Sequence, residues 1–174
     1  MATVFFLHGM ESGPDGLKIQ AMRRAVERLG LTTEAPDFRF SRDPEARAMH
    51  LLSRLPEHEP VVLVGSSLGG YVAARVAGLA AQSVQALDIR GLFLLCPAFD
   101  LPGYPLDRPE QPLRGPAVAL VHGRHDTVVP LENSLRAGAA WQSVVTVVED
   151  DHPLHDSVEL ICGLLGDFLG RLDP

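Results

Sequence analysis

One stretch constrains this chain more than any other: Val61-Val62-Leu63-Val64-Gly65-Ser66-Ser67-Leu68-Gly69-Gly70-Tyr71-Val72-Ala73-Ala74. The apolar, largely β-branched run at its start predicts a strand, and the segment after the glycines predicts a helix. Gly-x-Ser-x-Gly between them leaves room only for a sharp turn with Ser67 at its apex. Gly65 and Gly69 flank the serine because so tight a turn has no space for Cβ atoms. Such a turn lifts the Ser67 hydroxyl clear of the sheet edge. It also aims the first free N–H groups of the helix at whatever lies in front of the serine.

The same alternation recurs along the chain. Thr3–Leu7 is an unbroken apolar run, as expected of a strand buried on both faces of a parallel sheet. It ends in the turn-rich His8-Gly9-Met10-Glu11-Ser12-Gly13-Pro14. A helix is expected from Gly16, with Ile19, Met22, Val26 and Leu29 on one side, Arg23, Arg24, Glu27 and Arg28 on the other, and Gly30 closing it. Residues 32–38 read as a weak strand, with Pro36 placing it at a sheet edge. Asp43-Pro44 is a helix-start signal, leading into Ala46, Met49, Leu52 and Leu55. After the central strand, turn and helix, residues 88–96 form another buried strand. Six prolines between Pro97 and Pro116 then exclude a regular helix and predict a loop over the sheet. A strand over 117–121, a helix over 131–140 and a strand over 144–148 follow, and a closing helix carries Val158, Ile161, Leu165, Phe168 and Leu172. Six β-α units without a linker or repeat predict one domain over residues 1–174 of class α/β, a three-layer α/β/α sandwich around a six-stranded, mostly parallel sheet.

Composition narrows the partners. The formal net charge is −7 and the chain holds a single lysine, Lys18, so it offers no basic face to nucleic acid or to an anionic membrane. No stretch approaches the roughly 18–20 apolar residues of a membrane span, and the first residues lack a basic leader and cleavage site, so a cytoplasmic location is expected. Cys96 and Cys162 each sit in an apolar segment and are expected as reduced core thiols. No Gly-x-Gly-x-x-Gly follows the first strand and no phosphate loop occurs, so no nucleotide cofactor is expected. Asp150, Asp151, His152, His155 and Asp156 crowd together without metal-ligand spacing, and no metal is expected there.

Every polar loop of interest, after Leu7, Val64, Cys96, Val121 and Val148, follows a strand, so these loops should converge on the carboxyl edge of the sheet. A serine hydroxyl there needs a base, and the base needs an orienting acid. His152 follows the last strand and is the expected base, with His155 the alternative. Asp126 follows the fifth strand and is the expected acid, with Asp100 the alternative. A developing oxyanion needs two N–H donors; Leu68, next after the serine, and Met10, in the loop after the first strand, are in position. Ser66, His8 and His122 are expected as structural braces of their loops, and His125 as solvent-facing.

Val4-Phe5-Phe6-Leu7-His8-Gly9-Met10, Gly65-Ser66-Ser67-Leu68-Gly69-Gly70, His122-Gly123-Arg124-His125-Asp126 with Val128-Val129-Pro130, and Asp151-His152 together resemble the α/β-hydrolase fold superfamily over the whole chain. The Gly-Ser-Ser-Leu-Gly-Gly-Tyr variant and the small size resemble compact bacterial YqiA-like esterases. The resemblance implies a minimal form of that fold, beginning at the strand before the oxyanion loop, without two early antiparallel strands or an inserted cap. It implies a serine hydrolase of small carboxylic esters working through an acyl-enzyme. The loop from Pro97 to Pro116, with Phe99, Leu101 and Tyr104, is the expected apolar wall for a small acyl or alkyl group. The same apparatus could cleave thioesters or amides, or form peracids. A non-catalytic binding domain of the same fold is the alternative of another class, and the intact serine, acid and base argue against it.

Overall fold

The structure, a computed structural model, describes residues 2–83, 86–102 and 115–172. Its elements run β1 (Thr3–Leu7), α1 (Leu17–Arg28), β2 (Thr32–Glu34), α2 (Pro44–Leu52), β3 (Pro60–Ser66), α3 (Leu68–Ala80), β4 (Asp88–Leu95), β5 (Ala117–Gly123), α4 (Leu131–Trp141), β6 (Val144–Val148) and α5 (Val158–Arg171). The strands form one six-stranded sheet in the order β2-β1-β3-β4-β5-β6, and every pairing is parallel. The chain therefore turns one way after β1, toward the edge strand β2, and the other way from β3 onward. That reversal opens a crevice at the carboxyl ends of β1 and β3, where the loops leave toward opposite sides.

Strand periodicity divides the core in two. Phe5, Leu7, Leu63, Leu92 and Leu94 point to the layer of α2, α3 and α4, where they meet Leu51, Val72, Val76 and Trp141. Val4, Phe6, Val62, Val64 and Phe93 point to the layer of α1 and α5, against Met22, Val26, Ile161 and Leu165. A strand covered on both faces must be apolar at every position, which is why β1 and β3 read as unbroken runs. The edge strand β2 is shorter than residues 32–38. It ends at Glu34, ahead of Pro36, which has no N–H to offer a ladder. The α2 start is as its sequence requires: the Asp43 carboxylate accepts from the Glu45 N–H at 3.0 Å, and Pro44 occupies the first turn. No described helix is long and apolar enough to cross a membrane.

Candidate active site

Ser67 joins β3 to α3 with φ 54° and ψ −118°, a left-handed conformation that costs a non-glycine residue about 1–3 kcal/mol and persists only where its surroundings enforce it. The enforcement is visible. The Ser67 N–H donates to the Leu95 carbonyl at 2.9 Å, and the Ser67 carbonyl accepts from Gly70 at 2.9 Å and from Ala98, beyond β4, at 3.0 Å. Gly65 and Gly69 close the turn upon each other: a Cβ on Gly65 would stand 2.4 Å from the Gly69 carbonyl oxygen.

The ends of β5 and β6 bring the other two groups to the serine. The Ser67 hydroxyl donates to His152 Nε2 at 3.0 Å, and His152 Nδ1–H donates to Asp126 Oδ2 at 2.7 Å. The carboxylate accepts only, which fixes the proton on Nδ1 and leaves Nε2 as the acceptor facing Ser67. Asp126 has a fully buried side chain, and burial alone would raise its pKa. Hydrogen bonds from His122, His152, Val129 and Val128 outweigh burial and hold the carboxyl well below the usual range. Neither alternative is engaged in this way. Asp100 pairs with Arg136 at 3.1 Å, and His155 is exposed on the rim of the cleft beside His152.

His122 does more than brace a loop. Its Nε2 lies 3.0 Å from the Val129 carbonyl and 3.3 Å from Asp126 Oδ2, while Nδ1 meets the Ser134 hydroxyl at 2.7 Å. Two acceptors at Nε2 place the hydrogen there, so Ser134 donates to Nδ1, and the line Ser134–His122–Asp126–His152–Ser67 is continuous. Replacing His122 by leucine leaves a buried carboxylate one donor short and is expected to cost about 1–3 kcal/mol of stability. Glutamine, which keeps an N–H in reach, should lose less. Urea unfolding of the two variants measures the difference.

The loop after β1 is held by His8, the brace expected from the sequence, and by Arg47, to which sequence reading gave no role. His8 is fully buried; Nδ1–H donates to the Gly9 carbonyl at 2.7 Å and Nε2 accepts from the Phe38 N–H at 2.9 Å. Burial lowers its pKa, keeping the ring in this neutral form. Arg47, 1 % exposed, donates to the carbonyls of Ser41, His8 and Gly9 and lies over the Phe38 ring. Arg47 shares the buried face of α2 with Ala48 and Leu51, whereas Met49, which the spacing placed inward, is exposed. The loop passes so close to the serine that a Cβ on Gly9 would be 3.4 Å from Ser67 Cβ.

A cleft of about 510 Å³ opens beside Ser67 and His152, within the range of small-molecule sites. Met10, Leu68 and Leu101 line it, with Ala98, Ile19 and, at its mouth, the exposed Leu17 and Val128. Of the wall residues expected from the proline-rich segment, Leu101 lines the cleft and Phe99 does not. Phe99 has no exposed surface and stands edge-on to Trp141, 5.5 Å between ring centres, inside the core. Tyr104 lies outside the described residues. The opposite wall is the loop after β1 and the first turn of α1, including Lys18, whose Nζ donates to the Pro153 carbonyl at 2.9 Å.

Cys96, His122 and Asp126 bring ligand-type atoms within 4.8 Å of one another. Burial pushes the Cys96 thiol up to about 12, and its Sγ accepts from the Gly123 N–H at 3.5 Å. The histidine and carboxylate are already spent on each other and on His152.

Comparison with known proteins follows this geometry. A solved structure from Xanthomonas campestris pv. campestris, described as a "putative hydrolase of the alpha/beta superfamily", shares 30% identity over 99% of this chain and 100% of that chain, with a TM-score of 0.80. Alpha/beta hydrolase domain-containing protein 10 from mouse has a TM-score of 0.79 at 20% identity, covering 98% of this chain and 90% of that one. Est1E from Butyrivibrio proteoclasticus has a TM-score of 0.78 at 17% identity, covering 98% and 88%. These two show a shared fold alone. No curated protein matches the chain. The model of the uncharacterised protein family UPF0227 matches residues 3–99, more than half of the sequence. The chain belongs to the UPF0227 family and, with it, to the α/β-hydrolase superfamily.

Proposed function

We propose that this hydrolase-fold protein is a serine esterase acting on carboxylic esters through an acyl-enzyme. The observation that carries the reading is the unbroken hydrogen-bonded line from Ser67 Oγ through His152 to the buried Asp126 carboxylate. Ser67 Oγ attacks the acyl carbon while His152 Nε2 takes its proton. The same proton then passes to the departing alkoxide, which leaves as the alcohol. Water, deprotonated by His152, attacks the acyl-Ser67 carbonyl, releases the acid and returns the proton to Ser67. Asp126 keeps the Nδ1–H tautomer and stabilises the imidazolium formed in each half-reaction. Leu68 begins α3, so its N–H has no partner within the helix. With the N–H of Met10, which lines the same cleft, it is the proposed oxyanion hole.

The apolar lining favours an ester with an apolar acyl or alkyl part over a peptide or sugar. A fluorophosphonate probe tests the nucleophile: intact-mass analysis is expected to show one adduct, mapped to Ser67. No adduct, or an equal adduct on Ser67→Ala, would sink the reading and leave a binding domain of the same fold.

A further inference from the structure

Lys18 is the only lysine in the chain, and it stands in the wall of the catalytic cleft. Its side chain is half-buried, and its one hydrogen bond among the described residues goes to the Pro153 carbonyl, one residue beyond His152. An ammonium has three donors, and the protein engages one of them here. No carboxylate of the described residues lies within ion-pair distance of it, whereas arginines around the molecule have such partners. Glu11, the acid lining the same cleft, faces Arg42 at 3.2 Å. The Asp150 carboxylate is held by the N–H groups of Asp151 and Ser157. Burial lowers the Lys18 pKa, and the negative groups behind the cleft, Asp150, Asp126 and Asp151 among them, oppose that shift without touching the ammonium. A partly desolvated cation normally has its counter-charge close by. Lys18 lines the same cleft as Ser67 and His152, so a substrate bound there can supply the counter-charge.

We propose that Lys18 selects substrates carrying a second, ionised acid group, so that the esters this cleft takes are half-esters or esters of hydroxy acids rather than neutral esters. This rests on the esterase reading above. The apolar residues Met10, Leu17, Ile19 and Leu101 enclose the carbon chain, and Lys18 supplies an ammonium on that wall. A carboxylate on Lys18 gains a charge-assisted hydrogen bond that a neutral group of the same shape does not.

Binding to the Ser67→Ala protein, which has no nucleophile, tests this apart from turnover. The probes are monoethyl succinate, glutarate and adipate, with the carboxylate on the acyl side, and O-acetyl glycolate, with it on the alcohol side. Each is compared by calorimetry with its primary amide, equal in shape and uncharged. At least one acid is expected to bind about tenfold more tightly than its amide. That preference should vanish in Ser67→Ala/Lys18→Met and persist in Ser67→Ala/Lys18→Arg, with thermal melts confirming that both are folded. Equal binding of every acid and its amide, no measurable binding of any, or a preference that Lys18→Met leaves intact overturns the inference. Fluorophosphonate labelling of the wild-type protein reports separately on the esterase reading, so the two can fail independently.

Discussion

Ser67→Ala is expected to lower kcat/KM on a reactive ester such as 4-nitrophenyl butyrate by roughly a thousand- to a million-fold, and His152→Ala by a comparable factor. The double variant should be no worse than the more damaging single one. The reason lies in the geometry: the two side chains share one proton across 3.0 Å. Without His152 the Ser67 hydroxyl has no base to take its proton, and without Ser67 the imidazole has nothing to activate. A serine hydroxyl is a poor nucleophile at neutral pH, so each half alone is worth little. Residual activity over buffer would come from the proposed oxyanion donors, the Met10 and Leu68 N–H groups, and from binding. Losses that multiply in the double variant would mean that the residues act independently, and the proposed mechanism would fall. Initial rates corrected for buffer hydrolysis give the answer, and circular dichroism checks that each variant is folded.

What could be read from the sequence follows a physical division. Ser67, Asp126 and His152 were legible because each sits one short loop beyond an apolar run. In a parallel sheet, strand ends are brought together by topology before any side chain is considered. The mostly parallel sheet and the β2 edge followed for the same reason, with Pro36 marking the edge, while the strand order and the parallel pairing of every strand came with the structure. Phe99 was misread because an apolar residue in a loop fits a pocket and a core equally well. What decides is the turn in which the Phe99 N–H donates to the Pro97 carbonyl and Asn133 on α4 donates to the Phe99 carbonyl at 2.7 Å, seating the ring on Trp141. Lys18 entered the sequence reading only as the single lysine of an acidic chain. That its end of α1 overlooks the serine depends on the path of the loop after β1, which is set by buried bonds from His8 and Arg47 to carbonyls. Carbonyl contacts leave no trace in residue identity. His122 shows an intermediate case: the i, i+4 spacing to Asp126 is in the sequence, but a turn between them is needed to make it a contact.

Glycine-to-alanine substitution has opposite signs at two places, one in the elbow and one in α5. Gly69→Ala should destabilise the protein by more than about 3 kcal/mol, or prevent its folding, because overpacking against backbone has no side chain to move aside. A Cβ there would stand 2.0 Å from the Leu7 carbonyl oxygen and 2.5 Å from the Leu7 carbonyl carbon. Those atoms end β1 and begin the loop that carries Met10, so relief requires α3 to back away from the sheet and take Ser67 with it. Gly163→Ala in α5 meets nothing within 4 Å. There alanine only narrows the unfolded chain's choices and improves helix propensity, for a gain of about 0.5–1 kcal/mol. In a chain of this size each kcal/mol moves the melting temperature by about 2–4 °C, so Gly69→Ala should melt roughly 6–12 °C or more below wild type and Gly163→Ala slightly above it. Near-equal melting of Gly69→Ala and wild type would mean that α3 does not approach β1 this closely. Ser67 would then not be held where His152 and Met10 can both reach its reaction.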